Sequence, residues 1–228
     1  MDPRLIVAHA VKVVLVALLA GLYVTGRSRQ CYSLVAYLWT ALLGNSLTTL
    51  WPSVFFEFPF WAKRQALFDV LKLFIGLEIA IRAFHAFPGA RATWERLLAM
   101  LVVFGSSAAF LSFPRHAPYG TYFALQPQIV AATVWLFTIT ALVVVYYRIP
   151  IESWHQAILV GLTPYQLVFT AAVAGMTKLG FESFPGLSVI DAGAYLLMLG
   201  WWAQRAWQKE EPLRVSAETR RLLQLERA

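Results

Sequence analysis

Seven stretches of this chain are apolar for about the 20 residues that a helix needs to cross a hydrocarbon core. They run from Leu5 to Thr25, Leu34 to Phe55, Ala66 to His85, Leu97 to Phe113, Gln128 to Tyr147, Trp154 to Leu179 and Leu187 to Gln208. A backbone in oil must satisfy its own hydrogen bonds, so segments of this kind cross as helices. Composition agrees: 59% of the 228 residues are hydrophobic and 14% are charged, against about 25% charged in soluble domains. The expected fold class is all-α, a polytopic membrane protein with seven transmembrane helices in one bundle over residues 1–208. A short basic amphipathic cytoplasmic tail follows over residues 209–228.

Gly and Pro punctuate the gaps, at Phe87-Pro88-Gly89, Pro114, Pro118-Tyr119-Gly120, Ile149-Pro150 and Phe184-Pro185-Gly186, as residues that end helices should. The first span is interrupted by Lys12, is long for a signal-peptide core and lacks a small-residue cleavage site, so it reads as a membrane helix. In the tail, Ser216 suits an N-cap, and Arg220, Arg221, Leu222, Leu223 and Leu225 fit a helix lying on a membrane surface. A solvated tail is the other reading. Neither leaves room for an output domain.

Lysine and arginine set the expected orientation, because they accumulate on the cytoplasmic side. With the C-terminus inside, that side holds twelve: Arg27, Arg29, Arg82, Arg91, Arg96, Arg148, Arg205, Lys209, Arg214, Arg220, Arg221 and Arg227. The opposite side holds five, namely Arg4, Lys63, Arg64, Arg115 and Lys178. The chain is therefore expected in the bacterial inner (cytoplasmic) membrane with its N-terminus outside and its C-terminus in the cytoplasm. The net charge of +7 is then topology facing an anionic leaflet, and no nucleic-acid partner is implied.

The third span, DVLKLFIGLEIAIRAFH from Asp69 to His85, carries more ionisable groups than an apolar segment should. At about 100° per residue, Asp69 and Lys72 share one face while Glu78, Arg82 and His85 share the opposite one. An ion near the bilayer centre costs at least about 2.5 to 3.5 kcal/mol, so neither group should face lipid at depth. Small residues Gly76, Ala80 and Ala83 accompany the Asp69 face and let a neighbour approach closely. These features predict a central helix, covered all round. Glu78 and Arg82, at i,i+4 spacing, are expected to form a structural ion pair.

Other groups in the outer half can converge on Asp69 and Lys72: Lys12 in the first span, Lys178 near the end of the sixth and Asp191 near the start of the seventh. The sixth span contains Thr163-Pro164-Tyr165-Gln166, where proline frees a carbonyl and bends the helix. The expected ligand-binding set is Lys12, Asp69, Lys72, Gln166, Lys178 and Asp191, lining a slightly cationic pocket for a small anionic or carboxylate-bearing ligand. Mutual pairing that only holds the bundle together is the competing reading. The segment Trp51 to Trp61, with its aromatics and prolines, reads as an interfacial anchor.

Several chemistries lack their residues. The last span has no lysine for a retinal link. Four histidines, His9, His85, His116 and His155, fall in separate segments without zinc-ligand spacing. Asp69 and Asp191 lack a Gly-x-Gly-Asp context, and no P-loop, nucleophile elbow or His-Glu-x-x-His is present. The single Cys31 excludes an internal disulfide. No catalytic residue, metal site or cofactor is expected. Pro127-Gln128 matches the PQ dipeptide of the sugar-exporter families, but it occurs once.

Tyr37-Leu38, the aromatic loop Phe55 to Trp61, Leu77-Glu78-Ile79 with Arg82-Ala83-Phe84, and Trp154-His155 ahead of Gly161 together resemble a group of bacterial, acidobacterial-type seven-helix integral membrane proteins. The layout is also similar to the seven-helix sensory input regions of histidine kinases. The resemblance implies a seven-helix architecture and carries no activity. The expected function is a non-enzymatic, receptor-like or sensory membrane protein, partnered by the bilayer, a small anionic ligand or another membrane protein. A small-solute transporter and an accessory subunit of a membrane complex are the alternatives.

Overall fold

The computed structural model of the chain describes residues 3–55, 57–84, 118–146, 149, 151–179 and 184–209. The helices within them are α1 (Pro3–Val24), α2 (Tyr32–Leu50), the single turn α3 (Pro52–Phe55), α4 (Phe58–Phe84), α5 (Pro118–Tyr146), α6 (Ser153–Leu179) and α7 (Phe184–Trp207). The expected fourth span, Leu97 to Phe113, the tail beyond Lys209 and His85 lie outside the described residues. The described part of the chain is all-α.

Pro52, Pro59, Pro118 and Pro185 all fall in the first turns of their helices, where a missing N–H breaks no bond and the fixed φ suits the helix. Hydropathy had placed the starts too late. α5 begins at Pro118 rather than Gln128, and α4 at Phe58 rather than Ala66, because hydropathy marks where a helix becomes apolar, whereas the backbone bonds continue past that point. Lys63 and Arg64 therefore belong to α4 and not to a loop. α1 stops at Gly26, whose φ of 75° is open to glycine without a Cβ clash.

The six long helices close into a ring in the order α1, α2, α4, α5, α6, α7 and back to α1, each packing chiefly on its two neighbours. Among the described residues the third span takes a place in this ring and not at its centre. α4 is a member of the ring, with Leu67, Val70, Phe74 and Ile81 exposed on its outward side and Asp69, Lys72, Ile75 and Ile79 buried. Gly76 meets α5, where Leu136 and Phe137 come close enough to exclude a larger residue.

Inside the ring, Leu15, Leu18, Leu22, Leu34, Leu38, Phe137, Ile158, Leu162, Leu199 and Trp202 form one apolar core. The outward faces are apolar as well. Val13, Leu43, Phe74, Trp135, Leu167 and Leu197, one from each long helix, are all more than half exposed. Such continuous exposed apolar surface is foreign to water-soluble monomers. Three helices are by themselves long and apolar enough to cross a membrane: Ile6–Val24, Ile129–Tyr146 and Gly186–Trp207. α2, α4 and α6 also send polar groups inward, among them Tyr37, Asp69, Lys72 and Gln166.

Threonines along the helices satisfy themselves. The hydroxyls of Thr40, Thr133, Thr140 and Thr170 each donate to the carbonyl four residues earlier, at 2.7 to 2.8 Å, so they need no partner helix. At the end where α1 finishes, buried Arg27 donates to the Arg205 carbonyl and, at 2.7 Å, to the Gln208 carbonyl. A cation there offsets the negative end of the α7 dipole. His155 Nε2 lies 2.9 Å from the Gln30 carbonyl and ties α6 to the same corner.

Candidate functional site

Away from that corner, polar groups from five helices meet inside the ring. α4 supplies the centre. Asp69 and Lys72 are 2% and 3% exposed, and Lys72 Nζ lies 3.5 Å from Asp69 Oδ1. Asp69 also accepts from Gln65 Nε2 at 3.2 Å on Oδ1 and from Gln126 Nε2 of α5 at 3.5 Å on Oδ2. Its two oxygens are thus both supplied with donors, as a buried carboxylate requires.

Lys72 reaches across the ring to α6. Its ammonium stands 4.5 Å from the centre of the Phe169 ring and 5.9 Å from that of Tyr165. A desolvated cation over an aromatic face gains about 2 kcal/mol, which helps hold a lysine where water does not reach. The Tyr165 ring is 5.4 Å from that of Tyr195 on α7, and the Tyr195 and Tyr37 side chains lie within interaction range of each other. Tyr37 of α2 packs on Phe68 at 5.4 Å. Asp191 of α7 lies within electrostatic reach of both Lys72 and Tyr165.

Two groups here are short of partners. Gln166 is 1% exposed, and neither its Oε1 nor its Nε2 has a hydrogen-bond partner among the described residues. Asp191 Oδ1 is buried and likewise unpartnered among them. Buried polar atoms are nearly always bonded, and each one left unbonded costs about 1 to 3 kcal/mol. Pro164, in the middle of α6, precedes this stretch and leaves one backbone carbonyl without its helical donor.

Of the six residues expected to bind a ligand, the structure brings together Asp69, Lys72 and Asp191, and it buries Gln166 next to Tyr165. Lys12 goes elsewhere: its Nζ donates to Thr49 Oγ1 at 2.9 Å on the partly exposed α1–α2 seam. The side chain of Lys178 lies outside the described residues. Arg64 takes the place of these lysines. Its stem passes over Gly44, where a Cβ would come within 2.7 Å of Arg64 Cδ, and its guanidinium sits 5.8 Å from the Phe68 ring. Arg64 lies within electrostatic reach of Tyr195, while Lys72 is the base that meets Asp69 and Asp191.

Arg64, Gln126 and Tyr195 escaped the sequence reading. Arg64 precedes the apolar start of the third span at Ala66, so hydropathy alone does not place it on the helix. Tyr195 does have a usable signal, since it lies one helical turn after Asp191 and so shares its face.

Glu78 and Arg82 serve the other end of α4. Arg82 Nη2 is 3.1 Å from Glu78 Oε1. Glu78 also accepts from the backbone N–H groups of Tyr32 at 3.1 Å and Ser33 at 3.0 Å, and from Cys31 Sγ at 3.4 Å. It therefore caps the start of α2 from a different helix, a carboxylate at a positive helix end. Burial, and then the Glu78 charge, push the Cys31 thiol well above its ordinary range. Glu78→Gln is expected to cost about 1 to 2 kcal/mol in an unfolding titration in detergent. Maleimide labelling of Cys31, at least about tenfold slower in the native protein than in the unfolded one, is expected to speed up in this variant. Unchanged stability and labelling would remove the capping role.

These features define the class: an all-α protein whose helices enclose an ionised cluster and carry an apolar exterior, three of them able to span a membrane. Comparison with protein-family models, with curated proteins and with solved structures finds no match.

Proposed function

We propose that the chain is a seven-span bacterial inner-membrane protein of receptor-like type, N-terminus out and C-terminus in, that binds a small ligand at the cluster of Lys72, Asp191 and Gln166. The observation that carries this reading is Gln166, a fully buried amide with no partner among the described residues, one residue after Tyr165, whose ring lies near the Lys72 ammonium. A purely structural cluster gains nothing from leaving these atoms unbonded, whereas a ligand that hydrogen-bonds to them recovers that cost. Because Lys72 is met by two acids, Asp69 and Asp191, the ligand class is a small carboxylate-bearing molecule that also carries a positive group. Its carboxylate would turn to Lys72 and its cation to Asp191. The apolar outward faces of α2, α4 and α6 support membrane crossing by these helices too.

Thermal unfolding of the detergent-solubilised chain against a panel of amino acids, dicarboxylates and amines tests this. Amino-acid-like zwitterions are expected to raise the transition by several degrees, and Asp191→Asn is expected to abolish that rise. Gln166→Leu should raise the basal transition, by removing an unbonded amide, while losing the response. Equal responses of wild type and both variants, or no response to any class, would sink the proposal. A transporter using the Pro164 bend is the second reading, and uptake of the same zwitterion into proteoliposomes distinguishes it.

A further inference from the structure

The opposite end of the ring holds a second feature, unrelated to Lys72. Arg27, Trp154, Val160, Trp201, Arg205 and Lys209 contribute to the wall of a cleft of about 570 Å³ between the start of α6 and the end of α7. No carboxylate lines it among the described residues. The nearest acid among the described residues, Glu152, turns instead to His155, with Oε2 3.3 Å from Nδ1, while Glu210 and Glu211, which follow Lys209 in sequence, lie outside the described residues.

The charge in this cleft is not fully spent. Arg27 neutralises the carbonyl end of α7 through Arg205 and Gln208. Arg205 stands over Trp201, 4.5 Å from the ring centre, and donates to Gln208 Oε1 at 3.1 Å, so among the described residues no carboxylate offsets its charge. Lys209 is exposed at the rim. Ser153, Trp154 and Gln156 bring the first turn of α6 to the same cleft, and a helix start carries positive potential.

The cleft also continues into an apolar surface. On α6, Val160 is 61% exposed and Leu167, two turns on, is 52% exposed. On α7, Leu197 is 77% exposed one turn before Trp201. A cationic mouth at the helix ends thus leads onto an exposed apolar strip running toward mid-helix. We infer that this groove binds an anionic phospholipid, its phosphate held at Arg205, Lys209 and the α6 start, and one acyl chain lying along Val160, Leu167 and Leu197. A free phosphate ester would use the mouth alone and gain nothing from the strip. The inference rests on the membrane reading and not on the ligand cluster.

Native mass spectrometry of the full chain in neutral detergent tests it, with phosphatidylglycerol and phosphatidylcholine of identical acyl chains as probes. Phosphatidylglycerol is expected to be retained at least about tenfold more tightly, each basic side chain near an anionic surface being worth about a fivefold factor. Lys209→Gln, at an exposed position, should lower that affinity about fivefold with unfolding unchanged, and Arg205→Gln with Lys209→Gln about 25-fold. Lys72 variants should leave it unaltered. Equal retention of the two lipids, an unchanged preference in the double variant, or displacement of phosphatidylglycerol by about 10 mM inorganic phosphate would overturn the assignment.

Discussion

Lys72→Met is expected to destabilise the protein by about 3 to 5 kcal/mol, the cost of breaking a buried ion pair by removing one partner. The environment decides the magnitude. The Lys72 and Asp69 side chains are 4% and 1% exposed, whereas an exposed pair with the same spacing would contribute about 0 to 1 kcal/mol. After the substitution, Asp69 keeps its amide donors from Gln65 and Gln126 but loses its countercharge, and the Phe169 ring loses its cation. Methionine fills much of the lysine stem's volume, so a cavity contributes little. The double variant Lys72→Met with Asp69→Asn removes both charges and should recover at least about half of the loss, since neutral replacements of buried pairs are often tolerated. Unfolding by SDS titration from mixed micelles measures both. A loss under about 1 kcal/mol for Lys72→Met would show that this pair is effectively solvated, and the ligand reading would fall with it.

Gly161→Ala is expected to cost about 2 to 5 kcal/mol, although alanine is normally the better helix residue. A Cβ at this position would lie 2.4 Å from Trp202 Nε1 and 3.1 Å from Trp202 Cε2. Trp202 cannot yield easily. It is fully buried, and its indole N–H donates to the Ala157 carbonyl at 3.0 Å. The added methyl must separate α6 from α7 or dislodge the indole, which combines overpacking at about 1 to 3 kcal/mol with a buried hydrogen bond at about 1 to 3. Gly200→Ala is the control. Nothing lies within 4 Å of its Cβ position, so it should be neutral or stabilising by about 0.5 to 1 kcal/mol. If both alanines behave alike, the close approach of α6 to the Trp202 edge is not a determinant of stability.

The contrast between the two glycines shows where the sequence stops informing. Both sit within helices, and no property of the chain alone separates them. The difference arises because α6 and α7 bring Trp202 against one backbone and leave the other open. Lys12 and Arg64 make the same point for charge. Each is a basic residue on a largely apolar stretch of the chain, yet Lys12 bonds to Thr49 on a seam and Arg64 lies along Gly44 and near the Phe68 ring. Rotation of a helix about its axis selects between such fates, and that rotation is set by neighbours far away in sequence.

What the sequence determined by itself is local. Long apolar runs dictate helices because a helix satisfies its backbone bonds within the segment, and the i,i+3 and i,i+4 spacings put Asp69 with Lys72 and Glu78 with Arg82 whatever surrounds them. Six of those runs coincide with long helices among the described residues, α4 and α5 starting earlier than hydropathy places them and α2 ending at Leu50 rather than Phe55. Only the tertiary structure decided that α4 joins a ring instead of occupying its centre, that Glu78 caps α2, and that Tyr37, Tyr165, Tyr195 and Asp191 meet Lys72. Those contacts join helices separated by tens to more than a hundred residues. They depend on the order in which helices pack side by side, which many arrangements of the same apolar runs would satisfy equally well until side-chain shape selects one.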